Sequence, residues 1–148
     1  MTAPTRAAKA PHTAATILAA AASTPPFADP DEWAAAWVLP ITEFGLSINT
    51  AASVTATSEW DFTTAVALWV PVALITSSAQ PGGVRLDALA HYLTKPAGEL
   101  FDRDGWFGND HPVLIARADG TYTVRDGNHR VIAAMLNGEP MILAYVFT

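Results

Sequence analysis

The residues with the most chemical potential stand together in Tyr122-Thr-Val-Arg-Asp126-Gly127-Asn128-His129-Arg130-Val-Ile-Ala-Ala134. A strand-like stretch runs into a glycine-containing turn, and a helical pattern begins at once after it. Such a junction aims backbone N–H groups and the positive end of a helix dipole at one point. That point is an anion site, most often for phosphate. Gly127 permits positive φ or lets a ligand approach the backbone. Arg130 supplies a bidentate donor for phosphate oxygens, and Asn128 stands between them in the turn. His129 can donate to phosphate or move a proton near neutral pH. Asp126 can cap the helix, orient Arg130 or His129, or hold a Mg2+ that arrives with a nucleotide. Asp126 and His129 are thus the catalytic candidates, and Gly127, Asn128, His129 and Arg130 the phosphate-binding ones. The plainer alternative is that Asp-Gly is an ordinary turn and Arg130 pairs with a carboxylate.

Two accessory candidates flank this segment. Arg125 precedes the turn, and His111 opens the neighbouring strand ahead of Pro112. Asp102, Asp104, Asn109 and Asp110 surround Gly105-Trp106-Phe107-Gly108, but their spacing does not fit a calcium loop and reads as a solvated turn. His91 lies beside the apolar stripe of its helix. No Walker-type loop and no serine-protease-like order of Ser, His and Asp occurs.

The elements that must position these residues sharpen from residue 65 onward. Val70-Pro71-Val72-Ala73-Leu74-Ile75 reads as a short buried strand, and residues 76–83 as a loop. Leu86, Leu89, Ala90 and Leu93 form a helical stripe closed by Pro96 and Gly98. Residues 113–117 and 121–125 flank Asp119-Gly120 and predict a hairpin. Val131–Leu136 reads as a helix stopped by Asn137-Gly138, and Met141–Phe147 as a closing strand. The order is strand, helix, strand, strand, helix, strand, a mixed α/β fold.

Upstream, residues 1–28 read as a flexible Ala/Pro-rich arm, with a short alanine-driven helix over Ala14–Ala22. Residues 29–64 form an addition expected to pack on the core unit of 65–148. A helix start is signalled by Asp29, Pro30 and Glu32, with Trp33 and Trp37 on one face and Pro40 as the stop. Residues 41–60 suit short strands or a loop. Trp33, Trp37, Trp60 and Trp69 are expected in core packing, with protein-partner binding by the Trp-rich N-terminal part as the alternative.

Composition narrows the classes of function. The chain has 148 residues, 51% hydrophobic and 15% charged, too apolar for disorder. Its 29 alanines inflate that figure, with 14 of them in the first 40 residues. The net charge is −6, from 8 basic and 14 acidic residues, and residues 81–148 alone are at −2 (6 basic, 8 acidic). A nucleic-acid partner is therefore not expected, since phosphate backbones need a basic surface. The longest apolar run, Ala65–Ile75, spans eleven residues including Pro71, short of the roughly 20 that cross a bilayer. No membrane association is expected. The absence of cysteine removes disulfides, thiolate metal sites and thiol nucleophiles, and suits a cytoplasmic location.

Residues from about Leu68 to Phe147 resemble the ParB/sulfiredoxin superfamily. Val70-Pro71-Val72-Ala73-Leu74-Ile75 is similar to the family's opening strand, the Leu86/Leu89/Leu93 helix follows, and then His111-Pro112-Val113-Leu114-Ile115 and a hairpin around Gly120. Asp126-Gly127-Asn128-His129-Arg130-Val131-Ile132-Ala133-Ala134 resembles the signature D-G-x-[HR]-R-x-x-A. The resemblance implies a small mixed sheet with helices and a turn that binds nucleotide phosphates: CTP in ParB proteins, ATP in sulfiredoxins, ADP in a related free-serine kinase with an Asp-Gly-His-His-Arg turn. It implies ATP, ADP or CTP with Mg2+ as ligands, and phosphoryl transfer or nucleotide hydrolysis as activities. The departures limit it. Asn128 stands where sulfiredoxin has its catalytic cysteine, which excludes that chemistry. Asn128-His129 replaces the Glu-Arg pair of ParB, and no helix-turn-helix follows. The stretch after Ile75 lacks the glutamate of the kinase. A non-catalytic adaptor, and a ParB-like nuclease or DNA-binding accessory protein, are the alternatives.

Overall fold

The computed structural model describes residues 12–22, 38–50, 66–101 and 111–148. They form a mixed α/β fold. Helix α1 is Ala14–Ala22, α2 is Leu86–Leu93 and α3 is Asn128–Leu136. The strands are β1 (Val38–Leu39), β2 (Ser47–Ile48), β3 (Ala67–Pro71), β4 (Ile75–Ser78), β5 (Val84–Arg85), β6 (Val113–Ala116), β7 (Tyr122–Asp126) and β8 (Met141–Phe147). Short 3-10 turns occupy Ile41–Phe44 and Val72–Leu74.

Six strands make one sheet in the order β2-β4-β7-β6-β8-β3, and β1 pairs with β5 in a separate two-stranded ribbon. β6 and β7 form the expected antiparallel hairpin. β4 runs parallel to β7, and β8 parallel to β6. The connection from β3 to β4 forces curvature. Those strands are four places apart, about 19 Å in a flat sheet, yet Pro71 and Ile75 can be separated by only about 14 Å of extended chain. The sheet therefore curls, and the Val72–Leu74 turn closes its open side at one end.

α2 and α3 pack together on the face that carries Val70, Val124, Ile142 and Ala144. Leu89, Val131, Ile132 and Ala133 fill the space between. The two helices are also joined by a hydrogen bond from Asn137 Nδ2 to the Leu93 carbonyl, 3.0 Å, which satisfies a C-terminal orphan of α2. α3 ends as its Asn137-Gly138 signal predicts: Glu139 N–H bonds to the Ala134 carbonyl at 3.0 Å and Gly138 N–H to that of Met135 at 3.1 Å.

Several expectations change. The Val70–Ile75 run is not one strand. Pro71 ends β3 on the sheet edge, the chain turns through Val72–Leu74, and Ile75 starts β4 four strands away. Residues 76–78, read as loop, belong to β4, because buried Ser77 and Ser78 find hydrogen-bond partners across the sheet and on α3. α3 starts at Asn128, three residues before the apolar pattern at Val131. Val38–Leu39, placed in a helix ending at Pro40, form β1; the rest of that helix, with Trp33 and Trp37, lies outside the described residues, as do Trp60 and residues 51–65. Trp69 is 55% exposed rather than in the core.

Within the stretch read as an arm, α1 forms as alanine propensity predicts and docks. Thr13 and Thr16 cap it reciprocally, Thr16 N–H to Thr13 Oγ1 at 3.1 Å and Thr13 N–H to Thr16 Oγ1 at 2.9 Å. Its Ile17 is buried in the core cluster beside α2, and His12 Nε2 lies 2.9 Å from Glu43 Oε2. From the addition at 29–64, Ile41 and Leu46 enter the same core, and β2 pairs with β4 in the six-stranded sheet.

Candidate functional site

Gly127 separates β7 from α3 and has φ 113° and ψ 36°, a left-handed conformation that a residue with a Cβ adopts only at a cost. It is the N-cap of α3, and its carbonyl accepts the first helical hydrogen bond from Val131 N–H at 2.9 Å. No acidic residue occupies the first turn of α3, so the helix dipole there is not offset from within the helix. A Cβ at Gly127 would sit 3.1 Å from Arg130 Nε and 3.1 Å from Pro112 Cβ. The guanidinium thus lies directly against the turn's backbone.

Arg130 is 2% exposed. Its Nη1 donates to the Leu100 carbonyl at 3.1 Å, and its Nη2 lies 3.4 Å from Asp126 Oδ2. Removing a guanidinium from water is expensive, and these contacts offset the cost. The Asp126 contact is longer than the usual charge-assisted bond of roughly 2.8 Å, and the Asp126 side chain remains one-third exposed. Asp126 is thus one carboxylate that faces the positive charge at the base of the turn.

The neighbouring side chains point elsewhere. Asn128 is buried and ties α3 to the end of β4: its Oδ1 accepts from Ser78 Oγ at 2.5 Å, and its Nδ2 donates to the Gln80 carbonyl at 2.9 Å. His129 Nε2 accepts the Arg85 backbone N–H at 2.9 Å, which fixes β5 to the start of α3. A nitrogen that accepts carries no proton, so in this bond the neutral ring keeps its proton on Nδ1. Proton transfer through Nε2 would require breaking that link.

The five residues Asp126 to Arg130 are thus brought together by the backbone, while the side chains of Asn128, His129 and Arg130 diverge to three separate parts of the fold, the end of β4, β5 and Leu100. The two accessory candidates fall on other surroundings. Arg125 is the extra residue where the β6–β7 register shifts, between Val124 and Asp126, and it is half-buried there. The His111 ring packs 5.2 Å from Phe101 and 5.3 Å from Tyr145, centroid to centroid. It is the next residue, Pro112, that touches the Gly127 turn. Asp102, Asp104, Trp106, Phe107, Asn109 and Asp110 lie outside the described residues.

A metal fits this turn poorly. Among the described residues no three His, Cys, Asp or Glu gather into a cation site, and a divalent ion at Asp126 would meet the Arg130 guanidinium 3.4 Å from that carboxylate.

Sequence reasoning missed Ser78, Gln80, Leu100 and the backbone of Arg85. Their contributions come from chain segments 30 to 50 residues away, mostly through main-chain atoms that carry no residue signature. A groove of about 560 Å3, lined by Val72, Ile75, Met135, Glu139 and Pro140 among others, lies at the other end of α3, about 12 Å along the helix axis. It shares no residue with the Gly127 turn. No helix among the described residues is long and apolar enough to cross a membrane. Comparison of the chain with protein-family models, with curated proteins and with solved structures returns no match.

Proposed function

We propose that the chain is a ParB/sulfiredoxin-like protein that binds a nucleotide through its phosphates at the Gly127 turn. The observation that carries this reading is the coincidence of three features at one point, two of them electropositive. They are the N-terminus of a nine-residue helix, a left-handed glycine as its cap, and a buried guanidinium directly behind that glycine. The turn lies outside the carboxyl ends of two parallel neighbours, β4 and β7, the usual place for a ligand in sheets of this kind. Phosphate oxygens accept from backbone N–H groups of the first turn of α3. Arg130 acts through its charge, at close range in a poorly solvated setting, rather than by reaching out to the ligand. The lack of cysteine suits the reducing cytoplasm as the compartment.

A catalytic role needs more than binding. Asp126 faces Arg130 and His129 Nε2 holds β5, so phosphoryl transfer requires one of these contacts to open. That observation favours a second reading, a non-catalytic adaptor in which the turn only braces the fold. Thermal unfolding with ATP, ADP, CTP and GTP, each with and without Mg2+, separates the two. A nucleotide at ~100 times its dissociation constant stabilises the fold by about 2.7 kcal/mol, with pyrophosphate as a competitor. No stabilisation by any nucleotide or by pyrophosphate would remove the first reading and leave the adaptor.

A further inference from the structure

Among the described residues the sheet ends at β3, and this edge carries neither charge nor shortness as protection. Val66, Leu68 and Trp69 are 72%, 52% and 55% exposed, and no charged residue occurs between Asp61 and Arg85. Edge strands are normally blunted by charge, by shortness or by a covering element. The opposite edge uses shortness, since β2 is only Ser47–Ile48. β3 instead presents five paired residues along β8, with Pro71 as the interruption at its far end.

The hydrogen-bond parity of β3 can be worked out from β8. Tyr145 N–H points to the Pro112 carbonyl and Leu143 N–H to the Ala97 carbonyl, both away from β3. Ile142 and Ala144 therefore face β3, where their partners are Val70 and Leu68. The main-chain groups of Ala67 and Trp69 consequently point outward from the sheet. Leu68, between them, directs its main chain inward and its side chain to the face opposite that of Trp69. The indole is already held: its ring edge lies 3.1 Å from the position of a Cβ on Gly98.

We infer that this edge pairs with the β3 edge of a second copy of the chain, antiparallel and about a two-fold axis at Leu68. In that register Ala67 faces Trp69 of the other copy and Trp69 faces Ala67. Both pairs exchange their outward N–H and C=O groups, and the small side chain stands opposite the large one. Leu68 meets its own symmetry mate across the non-hydrogen-bonded position, where side chains approach closest. The edge is thus complementary to itself, as an isologous contact requires. Two six-stranded sheets become one continuous sheet.

Sedimentation velocity over a dilution series tests the inference, with Leu68→Lys as the disrupting variant and Ile48→Lys, an equally exposed apolar residue on the other edge, as the control. The expected result is a dimer that dissociates on dilution. Leu68→Lys should weaken it by at least about tenfold, because like charges then face each other, and Ile48→Lys should leave it unchanged. Circular dichroism confirms that both variants fold. A second arm uses the cysteine-free background. Leu68→Cys places two thiols on residues about 4.5 Å apart between Cα atoms, within disulfide reach, so oxidised glutathione should give a covalent dimer faster than it does with Ile48→Cys. A monomer at every concentration up to the solubility limit would overturn the inference. So would a dimer that ignores Leu68→Lys and fails to cross-link at position 68.

Discussion

Among the described residues the dipeptide Asp-Gly occurs twice, as Asp119-Gly120 and as Asp126-Gly127 at the two ends of β7, and the two copies do different things. Both glycines have positive φ, 87° and 113°. In the first, the carboxylate turns back on its own loop. Asp119 Oδ1 accepts from Thr121 N–H at 3.0 Å and from Thr121 Oγ1 at 2.6 Å, and Arg117 and Thr121 close the hairpin at 2.9 Å. Nothing would obstruct a Cβ on Gly120. In the second, Ser78, Gln80, Arg85 and Leu100 reach the junction from far along the chain, and a Cβ would press on Arg130 and Pro112. The same local sequence makes a self-sufficient turn on the surface and a junction that the whole fold converges on. Backbone preference is encoded in two residues; what the turn is for is decided by what packs around it.

This contrast can be broken most severely at Arg130. Arg130→Ala leaves Asp126 without its guanidinium and the Leu100 carbonyl without a donor, and should cost about 3–5 kcal/mol in denaturant unfolding. Arg117, the basic residue of the exposed turn, should cost under about 0.5 kcal/mol when changed to Ala. If the two variants unfold alike, the junction is not the anchor described here. Next come the glycines. Gly127→Ala combines left-handed strain with the crowding at Arg130 and should cost about 2–3 kcal/mol, against about 1 kcal/mol for Gly120→Ala, where only the strain applies. Equal losses would mean that the crowding relaxes freely.

Asn128→Ala comes next in size. It removes the acceptor of the short Ser78 Oγ bond and the donor to the Gln80 carbonyl, and should cost about 1–3 kcal/mol with a loss of amide protection in β4. The smallest effect lies in the exposed turn. The Thr121 hydroxyl, followed by the Thr121 N–H, holds the Asp119 carboxyl below the ordinary value of 3.8. Because the folded value is the lower one, the turn is favoured above the unfolded value and loses that advantage as pH falls through the folded one. Titration followed by NMR should show Asp119 protonating at lower pH than a peptide aspartate, and Thr121→Val should raise it.

The same division explains what was legible in the sequence. The hairpin, α2, the stop of α3 and the β8 segment carry their signals locally, in turn residues and periodic apolar positions. The Val70–Ile75 run is uniformly apolar, so it concealed a break between two strands, β3 and β4, that sheet curvature brings within reach of one short turn. β4 was hidden because Ser77 and Ser78 resemble loop residues until Thr123 and Asn128 supply their bonds. At the candidate site, the glycine and the helix start were readable. The fates of Arg130, Asn128 and His129 were not, since Leu100, Ser78 and Arg85 bind them from a distance.

The most direct measurement is an amide-resolved NMR titration with pyrophosphate and then with the preferred nucleotide. Both Asp-Gly turns serve as reporters in one spectrum. Saturable shifts at Gly127, Asn128 and His129, with Gly120 and Thr121 unmoved, are the predicted result. Shifts that are absent at the Gly127 turn, or no larger there than at the hairpin, would contradict the assignment of this junction as a phosphate site.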